Sequence, residues 1–153
     1  MLVVSLTGTD PLARQAIEFS REEFDVAVGR FSPDGRFMAY RSNETESERF
    51  QVYVRPFDAA TGKAGEGKWQ VSKNPVAAML HWRNDGKEFF FRDFNEPPTT
   101  DLRVMSVDVA TTPVFQVGTP KVLFTLPGPL GGNLGNISRD GQRFVFAVNI
   151  PAQ

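Results

Sequence analysis

The stretch FSPDGRFMAYRS, which spans Phe31–Ser42, places a turn-forming dipeptide between an aromatic residue and an apolar run. The dipeptide is Asp34-Gly35. Glycine accepts the positive φ that a tight turn requires, and the Asp side chain hydrogen-bonds to its own backbone two residues on. Asp-Gly between β-prone segments is therefore a strong hairpin pattern. The stretch predicts two short antiparallel strands joined at Asp34 and Gly35.

The same pattern occurs twice more, in HWRNDGKEFFFRD around Asp85-Gly86 and in NISRDGQRFVFAV around Asp140-Gly141. The three turn glycines lie 51 and then 55 residues apart. Similar hairpins at such spacing indicate a repeated supersecondary unit. Two sets of residues should then have equivalent surroundings. They are the turn aspartates Asp34, Asp85 and Asp140 and the aromatic residues Phe37, Phe89 and Phe144.

Two further segments follow each of the first two hairpins. The first hairpin precedes QVYVRPFDAATGK and then KWQVS at Lys68–Ser72, and the second precedes LRVMSVDVATTPV and then KVLFT at Lys121–Thr125. The start of the chain, LVVSLTGTDPL, fits the third slot, and ARQAI at Ala13–Ile17 fits the fourth. The repeat therefore contains four short strands, A, B, C and D, with the Asp-Gly turn between A and B.

The apolar patterns of the predicted strands differ. Strand B is almost continuously apolar, as at Phe89–Phe91 and Phe144–Phe146, which predicts a strand covered on both faces. Strand C alternates, with Val52 and Val54 set against the residues between them, which predicts a more peripheral position. The segments SNETESER, TGKAGEGK and LPGPLGGNLGN are predicted to be loops, and DPLARQAIEFSREEF has a faint helical character.

Four-stranded units of about 40–50 residues are typical of β-propeller blades. The segments GRFSPDGRFMAYRSNE, FQVYVRPF and GKWQVS resemble the WD40-like, or PD40, repeats of TolB-type propellers. The resemblance is closest to the propeller C-terminal to the kinase domain in some bacterial serine/threonine protein kinases. The matching segments, in order, are Ser32–Gly35, Val52–Phe57, Lys68–Ser72 and Trp82–Glu88.

The resemblance implies an all-β fold, namely a partial β-propeller of four-stranded antiparallel blades with about three blades' worth of chain. We interpret residues 1–153 as one such domain. Residues 1–22 end one blade, residues 23–72 and 76–125 form two blades, and residues 133–148 start the next. Closed propellers typically have four to eight blades. We therefore expect a piece of a longer propeller, or self-association that completes the ring.

The resemblance also implies a function. It is that of a non-catalytic sensor or scaffold that binds a protein, a peptide or a small ligand, within a larger bacterial kinase-associated protein. The alternatives are an accessory propeller of a prolyl-oligopeptidase-like or tricorn-like peptidase and a TolB-like periplasmic scaffold. The sequence has no His-Arg-Asp or Asp-Phe-Gly kinase motif. We expect no cofactor, and the compartment stays open between the cytoplasm and an extracytoplasmic part of a membrane-anchored protein.

Few residues are candidates for catalysis or for binding a ligand. His81 is the only histidine, and the sequence contains no Gly-x-Ser-x-Gly elbow, so we expect a structural or pore-lining histidine. Arg83 and Arg143 recur near the hairpins, and together with His81 they are candidates for a channel that takes an anionic ligand or peptide. The remaining candidates are structural turn residues, not metal ligands: Asp34, Gly35, Asp85, Gly86, Asp140 and Gly141.

The composition of the chain argues against several kinds of partner and site. The formal net charge of −1 argues against a nucleic-acid partner, which normally requires a basic excess. The chain has no cysteine, which excludes disulfides and thiolate metal sites. No apolar run approaches the roughly 20 residues that span a bilayer, so we expect no membrane insertion. The first residues, MLVVSLTGTD, lack the basic region of a signal peptide.

Overall fold

The computed structural model of the chain describes residues 1–6, 10, 14–21, 23–46, 49–93, 101–126 and 133–147. Regular secondary structure in these ranges is β-strand and never helix, so the predicted all-β fold class is confirmed. The strands are β1 (Leu2–Val4), β2 (Ala16–Glu18), β3 (Val26–Phe31), β4 (Phe37–Glu46), β5 (Arg49–Asp58), β6 (Lys63–Ala64), β7 (Trp69–Gln70), β8 (Val76–Trp82), β9 (Glu88–Asp93), β10 (Leu102–Ala110), β11 (Gln116–Val117), β12 (Lys121–Leu126), β13 (Asn133–Ile137) and β14 (Phe144–Ala147).

The two larger sheets have the same antiparallel strand order. In the first sheet β3, β4 and β5 lie side by side, and both β6 and β7 pair with β5. In the second sheet β8, β9 and β10 lie side by side, and both β11 and β12 pair with β10. The predicted order of strands A, B, C and D is therefore observed in both sheets, as β3, β4, β5 and β7 in the first and as β8, β9, β10 and β12 in the second. The two-residue strand β6 lies in the predicted loop TGKAGEGK, and β11 lies in a segment for which the sequence predicts no strand.

Two smaller sheets flank these. Strand β1 pairs with β2, and strand β13 pairs with β14, both antiparallel. The faint helical pattern near the N-terminus is wrong where the structure describes it, because Ala16–Glu18 is the strand that pairs with Leu2–Val4. The predicted loop SNETESER is also wrong in part, because β4 continues to Glu46 and β5 begins at Arg49. Most of the predicted loop LPGPLGGNLGN lies outside the described residues.

The three Asp-Gly turns form the same hydrogen bonds, which confirms that their aspartates occupy equivalent reverse turns. The amide of each turn glycine donates to the carbonyl three residues earlier, at 2.9, 2.9 and 2.8 Å. The Oδ1 atom of each aspartate accepts from the amide two residues later, at 3.1, 3.1 and 3.0 Å. Gly35, Gly86 and Gly141 have φ values of 69°, 70° and 73°, a region that is costly for any residue with a Cβ.

The four sheets pack face to face in chain order. The β1–β2 sheet packs on one face of the first large sheet, where Phe19 meets Tyr40 with ring centroids 6.5 Å apart. The other face of that sheet packs on the second large sheet through a core that includes Val54 and Phe89. The far face of the second sheet packs on the β13–β14 hairpin, where Phe90 meets Phe144 at 5.4 Å. Both large sheets are therefore covered on two sides.

The expected equivalence of Phe37 with Phe89 and Phe144 is wrong by one residue. The ladder pairs next to the three turns are Phe31–Met38, Trp82–Phe89 and Ile137–Phe144. Met38 is therefore the residue of the first hairpin that matches Phe89 and Phe144. The error arises because aromatic type, and not distance from the turn glycine, is the basis of the sequence comparison.

The one-residue offset reverses the face on which these side chains lie, because successive strand residues point to opposite sides of a sheet. Phe37 lies in the core between the two large sheets, 5.1 Å from the ring of Phe115. Met38 lies on the opposite face, with Phe19 of the N-terminal sheet. The residues that match Phe37 in the other hairpins are Glu88 and Arg143.

Coverage of strand B on both faces is confirmed in the second sheet, where Phe89, Phe90 and Phe91 are 0%, 1% and 2% exposed. The same prediction is wrong for the third hairpin. Val145 is 60% exposed, while Phe144 on the opposite face is half-buried. The cause is that the described residues cover the β13–β14 hairpin only on the face toward the second sheet.

The predicted peripheral position of strand C is also wrong over the middle of β5. Residues Val52, Tyr53 and Val54 are all buried. Val52 and Val54 pack toward the second sheet, and Tyr53 packs toward the N-terminal sheet, where its ring stacks on Tyr40 at 6.1 Å. An alternating sequence can therefore be buried on both faces when the intervening residue is a tyrosine.

Phe90 and Val145 stand at the same position in their hairpins, four residues after the turn glycine. We expect Phe90→Ala to lower the free energy of unfolding by about 3–5 kcal/mol, because it empties a buried site between two packed sheets. Val145→Ala, at the exposed equivalent position, should change it by less than about 0.5 kcal/mol. Urea denaturation followed by tryptophan fluorescence measures both. Equal effects of the two substitutions would contradict the packing described above.

Candidate ligand-binding cleft

An open cleft of about 410 Å³ lies where the three hairpins approach one another near their turns. In all three hairpins, the positions five, four and two residues before the turn glycine line the cleft. They are Arg30, Phe31 and Pro33 in the first hairpin, His81, Trp82 and Asn84 in the second, and Asn136, Ile137 and Arg139 in the third. Ser138 completes the lining. The cleft is thus built from the repeat itself, one set of residues from each sheet.

The charged residues that line the cleft are cationic. Arg30 and Arg139 are both exposed, and neither has a carboxylate partner within the described part of the chain. His81 is half-buried, and burial together with the positive charge of Arg30 lowers the pKa of its imidazole below the ordinary 6.5. Both effects favour the neutral imidazole, and the guanidinium groups of Arg30 and Arg139 are the fixed charges of the cleft.

Aromatic residues form the apolar wall. The indole Nε1 of Trp82 donates to the carbonyl oxygen of Arg30 at 3.1 Å, which links the second hairpin to the first. The Trp82 ring also contacts Phe89, with centroids 4.9 Å apart. Phe31 is 47% exposed, and its ring lies 4.7 Å from that of Phe57. These contacts fix the two rings while part of their surface remains open to solvent.

Arg83 lies in the second turn, outside the lining of this cleft. Its Nε and Nη2 atoms bond the two carboxylate oxygens of Asp85 at 2.8 and 2.9 Å, and its Nη1 bonds Glu88. The side chain also lies against Gly141, where a Cβ would approach the Arg83 Cδ to 2.9 Å. Arg83 therefore links the second turn to the third. In the first and third turns the same position is a serine whose hydroxyl donates to the turn aspartate.

Of the candidate ligand-binding residues named from the sequence, one lines the cleft and two do not. His81 lines the cleft, and its role as a structural or pore-lining histidine stays a prediction. Arg143 is exposed, two residues after Gly141, and does not line it. A channel shared by Arg83 and Arg143 stays a prediction. Arg30 and Arg139 are the charged residues of the cleft that sequence reasoning missed, and counting back from each turn glycine would have found both.

The turn aspartates have structural partners. The Ser138 hydroxyl and the Gln142 amide lower the pKa of Asp140, and the hydrogen bonds of Arg83 and the Lys87 amide lower the pKa of Asp85 to about 2. Within the described ranges, no cluster of three or more histidine, cysteine or acidic residues could hold a metal ion. Glu44, in the predicted acidic loop, pairs with Lys68 at 2.7 Å, while Glu48 lies outside the described residues.

No protein-family model matches the chain, and no curated protein matches it. The resemblance to WD40-like repeats therefore rests on the residues quoted above. No helix that is long and apolar enough to cross a membrane occurs in the part of the chain that the structure covers.

We expect Arg83→Gln to raise the pKa of Asp85 from about 2 toward its ordinary 3.8, because hydrogen bonding from Arg83 is the largest cause of the lowering. A carboxyl ¹³C NMR titration measures the pKa. Asp58 provides the control, because the Thr61 hydroxyl and the Ala60 amide lower its pKa and should continue to do so.

The same substitution predicts a pH dependence of stability. A carboxyl whose pKa is lowered on folding stabilises the folded state above its unfolded pKa of about 3.8, and this contribution is lost as the pH falls through about 2. The parent chain should therefore be more stable than Arg83→Gln at pH 7, and the difference should shrink toward pH 2. If the difference in stability between the two chains stayed constant with pH, the Arg83–Asp85 pair would not be its cause.

Proposed function

We propose that the chain is part of a β-propeller with four-stranded blades and acts as a non-catalytic binding module. The observation that supports this most directly is the repetition in three dimensions. Two antiparallel sheets of the same strand order pack face to face, and a third hairpin with the same turn packs on the second sheet. Stacked sheets that present equivalent turns at one end provide a composite surface, and propellers bind ligands on such loop surfaces.

The surroundings of the only histidine also favour binding over catalysis. A nucleophilic triad needs a hydroxyl bonded to the imidazole and a carboxylate that orients it. The hydroxyl that lines the cleft with His81 is that of Ser138, and it donates to Asp140. The nearest charge that acts on His81 is that of Arg30, which disfavours an imidazolium. This arrangement suits recognition of a ligand and does not resemble an activated serine.

The kinase-associated setting is our first choice for the parent protein, on the resemblance of FSPDGRF, VYVRPF and KWQVS to that class of propeller. In that setting the module senses a ligand or recruits a protein beside a kinase domain. The alternatives remain an accessory propeller of a prolyl-oligopeptidase-like or tricorn-like peptidase and a TolB-like scaffold. The reading frame around the chain separates them. Kinase motifs upstream support the first choice, a Gly-x-Ser-x-Gly downstream supports the second, and a signal peptide followed by a small α/β domain supports the third.

The binding role is tested by selecting peptides from a random phage library on the immobilised chain and measuring them by calorimetry. We expect selected peptides to bind with a Kd of about micromolar order. Asn84→Ala, at the turn end of the sheets, should weaken binding, while Lys73→Ala, at the opposite end, should not. A selection without enrichment over a heat-denatured sample, or turnover of ATP or peptide substrates by the purified chain, would count against the proposal.

We further propose that the edges of the two small sheets pair with additional blades or with a second copy of the chain. Strand β1 has the position of strand C and strand β14 that of strand B, and B pairs with C in both large sheets. Exposed apolar residues lie on both strands, Leu2 and Val4 on β1 and Val145 on β14. Two chains joined in this way would form a six-bladed ring.

Light scattering coupled to size-exclusion chromatography measures the association of the 153-residue chain. We expect a dimer. Val145→Lys and Val4→Lys should each dissociate it, whereas Lys87→Glu, on an exposed turn, should leave it intact. A monomer at concentrations near a millimolar would remove the dimer and leave completion by further blades of a longer chain.

A further inference from the structure

We propose that the cleft between the three hairpins binds an organic carboxylate that carries an apolar group. The carboxylate binds at Arg30 and Arg139, and the apolar group packs on Trp82 and Phe31. This inference rests on the proposed binding role and assigns its ligand class. The proposed channel of Arg83 and Arg143 is a different place, because neither residue lines the cleft.

The first reason is charge. The chain as a whole carries a net charge of −1, yet among the described residues the cleft is lined by two arginines and by no acidic side chain. A guanidinium group presents a planar fork of donors that matches a carboxylate. The carboxylates of the neighbouring turns already accept from other groups, Asp85 from Arg83 and Asp140 from the Ser138 hydroxyl.

The second reason is the wall of the cleft. The Nε1 donor of Trp82 is already used by the Arg30 carbonyl, so the indole offers a ligand its apolar ring. Phe31 remains 47% exposed although it contacts Phe57. Ile137 continues this apolar lining. A ligand with an apolar group would therefore remove aromatic surface from water, which adds to the charge pairing.

The third reason is size and polarity. The volume of about 410 Å³ lies at the small end of the range for small-molecule sites, roughly 300–1,000 Å³. Other polar side chains share the lining, among them Asn84 and Asn136, which are both exposed. Two guanidinium groups without a carboxylate partner in the described residues, together with the aromatic rings of the same lining, suit a monoanionic organic acid better than inorganic phosphate, which has no apolar part.

Two sources share this chemistry, a free small acid and the C-terminal carboxylate of a peptide. The probes that separate them are 3-phenylpropionate, the tripeptide Ala-Ala-Phe with a free C-terminus, and the same tripeptide amidated. The neutral isostere 3-phenylpropionamide tests the charge, and inorganic phosphate tests charge without an apolar group. Tighter binding of the free tripeptide than of 3-phenylpropionate indicates a peptide terminus, and the reverse order indicates a small acid.

The readout is NMR, in which the imidazole of His81 is unambiguous because it is the only histidine. We expect 3-phenylpropionate to shift the His81 and Trp82 signals with a Kd of about millimolar order, as its few atoms allow. The amide isostere should bind at least fivefold more weakly. Arg139→Gln and Arg30→Gln should each weaken carboxylate binding about five- to tenfold.

The matched control is Lys87→Gln, which removes an exposed cation of the second hairpin outside the cleft and should leave the Kd unchanged. Equal binding of acid and amide, or no effect of either cleft substitution in variants with native spectra, would overturn the inference. If phage-selected peptides bind without shifting His81 or Trp82, the binding role stands and this cleft is not its site.

Discussion

The Asp-Gly turn sets the register of the three hairpins in which it joins strands A and B, and the arrangement of the sheets depends on that register. Two features fix where strand B begins: the positive φ of the glycine and the hydrogen bond that the amide two residues after the aspartate donates to its Oδ1. Since strand residues alternate between two faces, a fixed starting point determines which side chains meet the preceding sheet and which meet the following one. A one-residue slip would exchange the two sets.

That register explains how the sheets stack. Residues three and five positions after the turn glycine face the preceding sheet, as Met38 and Tyr40 do in the first hairpin. Residues two and four positions after it face the following sheet, as Phe37 and Ala39 do. A strand that must satisfy both neighbours has no polar face, and its continuous apolar sequence follows from this requirement.

Strand order and turn geometry could be predicted from the sequence because they depend on local residues, the Asp-Gly pairs and the short apolar runs. The position of Phe37 could not be predicted from its aromatic type, because the face of a strand depends on counting from the turn. The short strand at Lys63–Ala64 gave no pattern, since two residues show no period. The cleft escaped prediction because its residues come from three hairpins that are far apart in the sequence, and only the stacking of separate sheets places Arg30 and Arg139 in one lining.

The close approach of Arg83 to Gly141 has a consequence for the repeat as a genetic unit. Gly35 has open space where a Cβ would lie, whereas the third turn has no such space because the neighbouring hairpin already occupies it. The third glycine is therefore required both by its own backbone and by the arginine of the hairpin before it. A mutation of the turn glycine in one copy would therefore meet both constraints at the third turn, whereas at the first turn it would meet only the constraint of its own backbone.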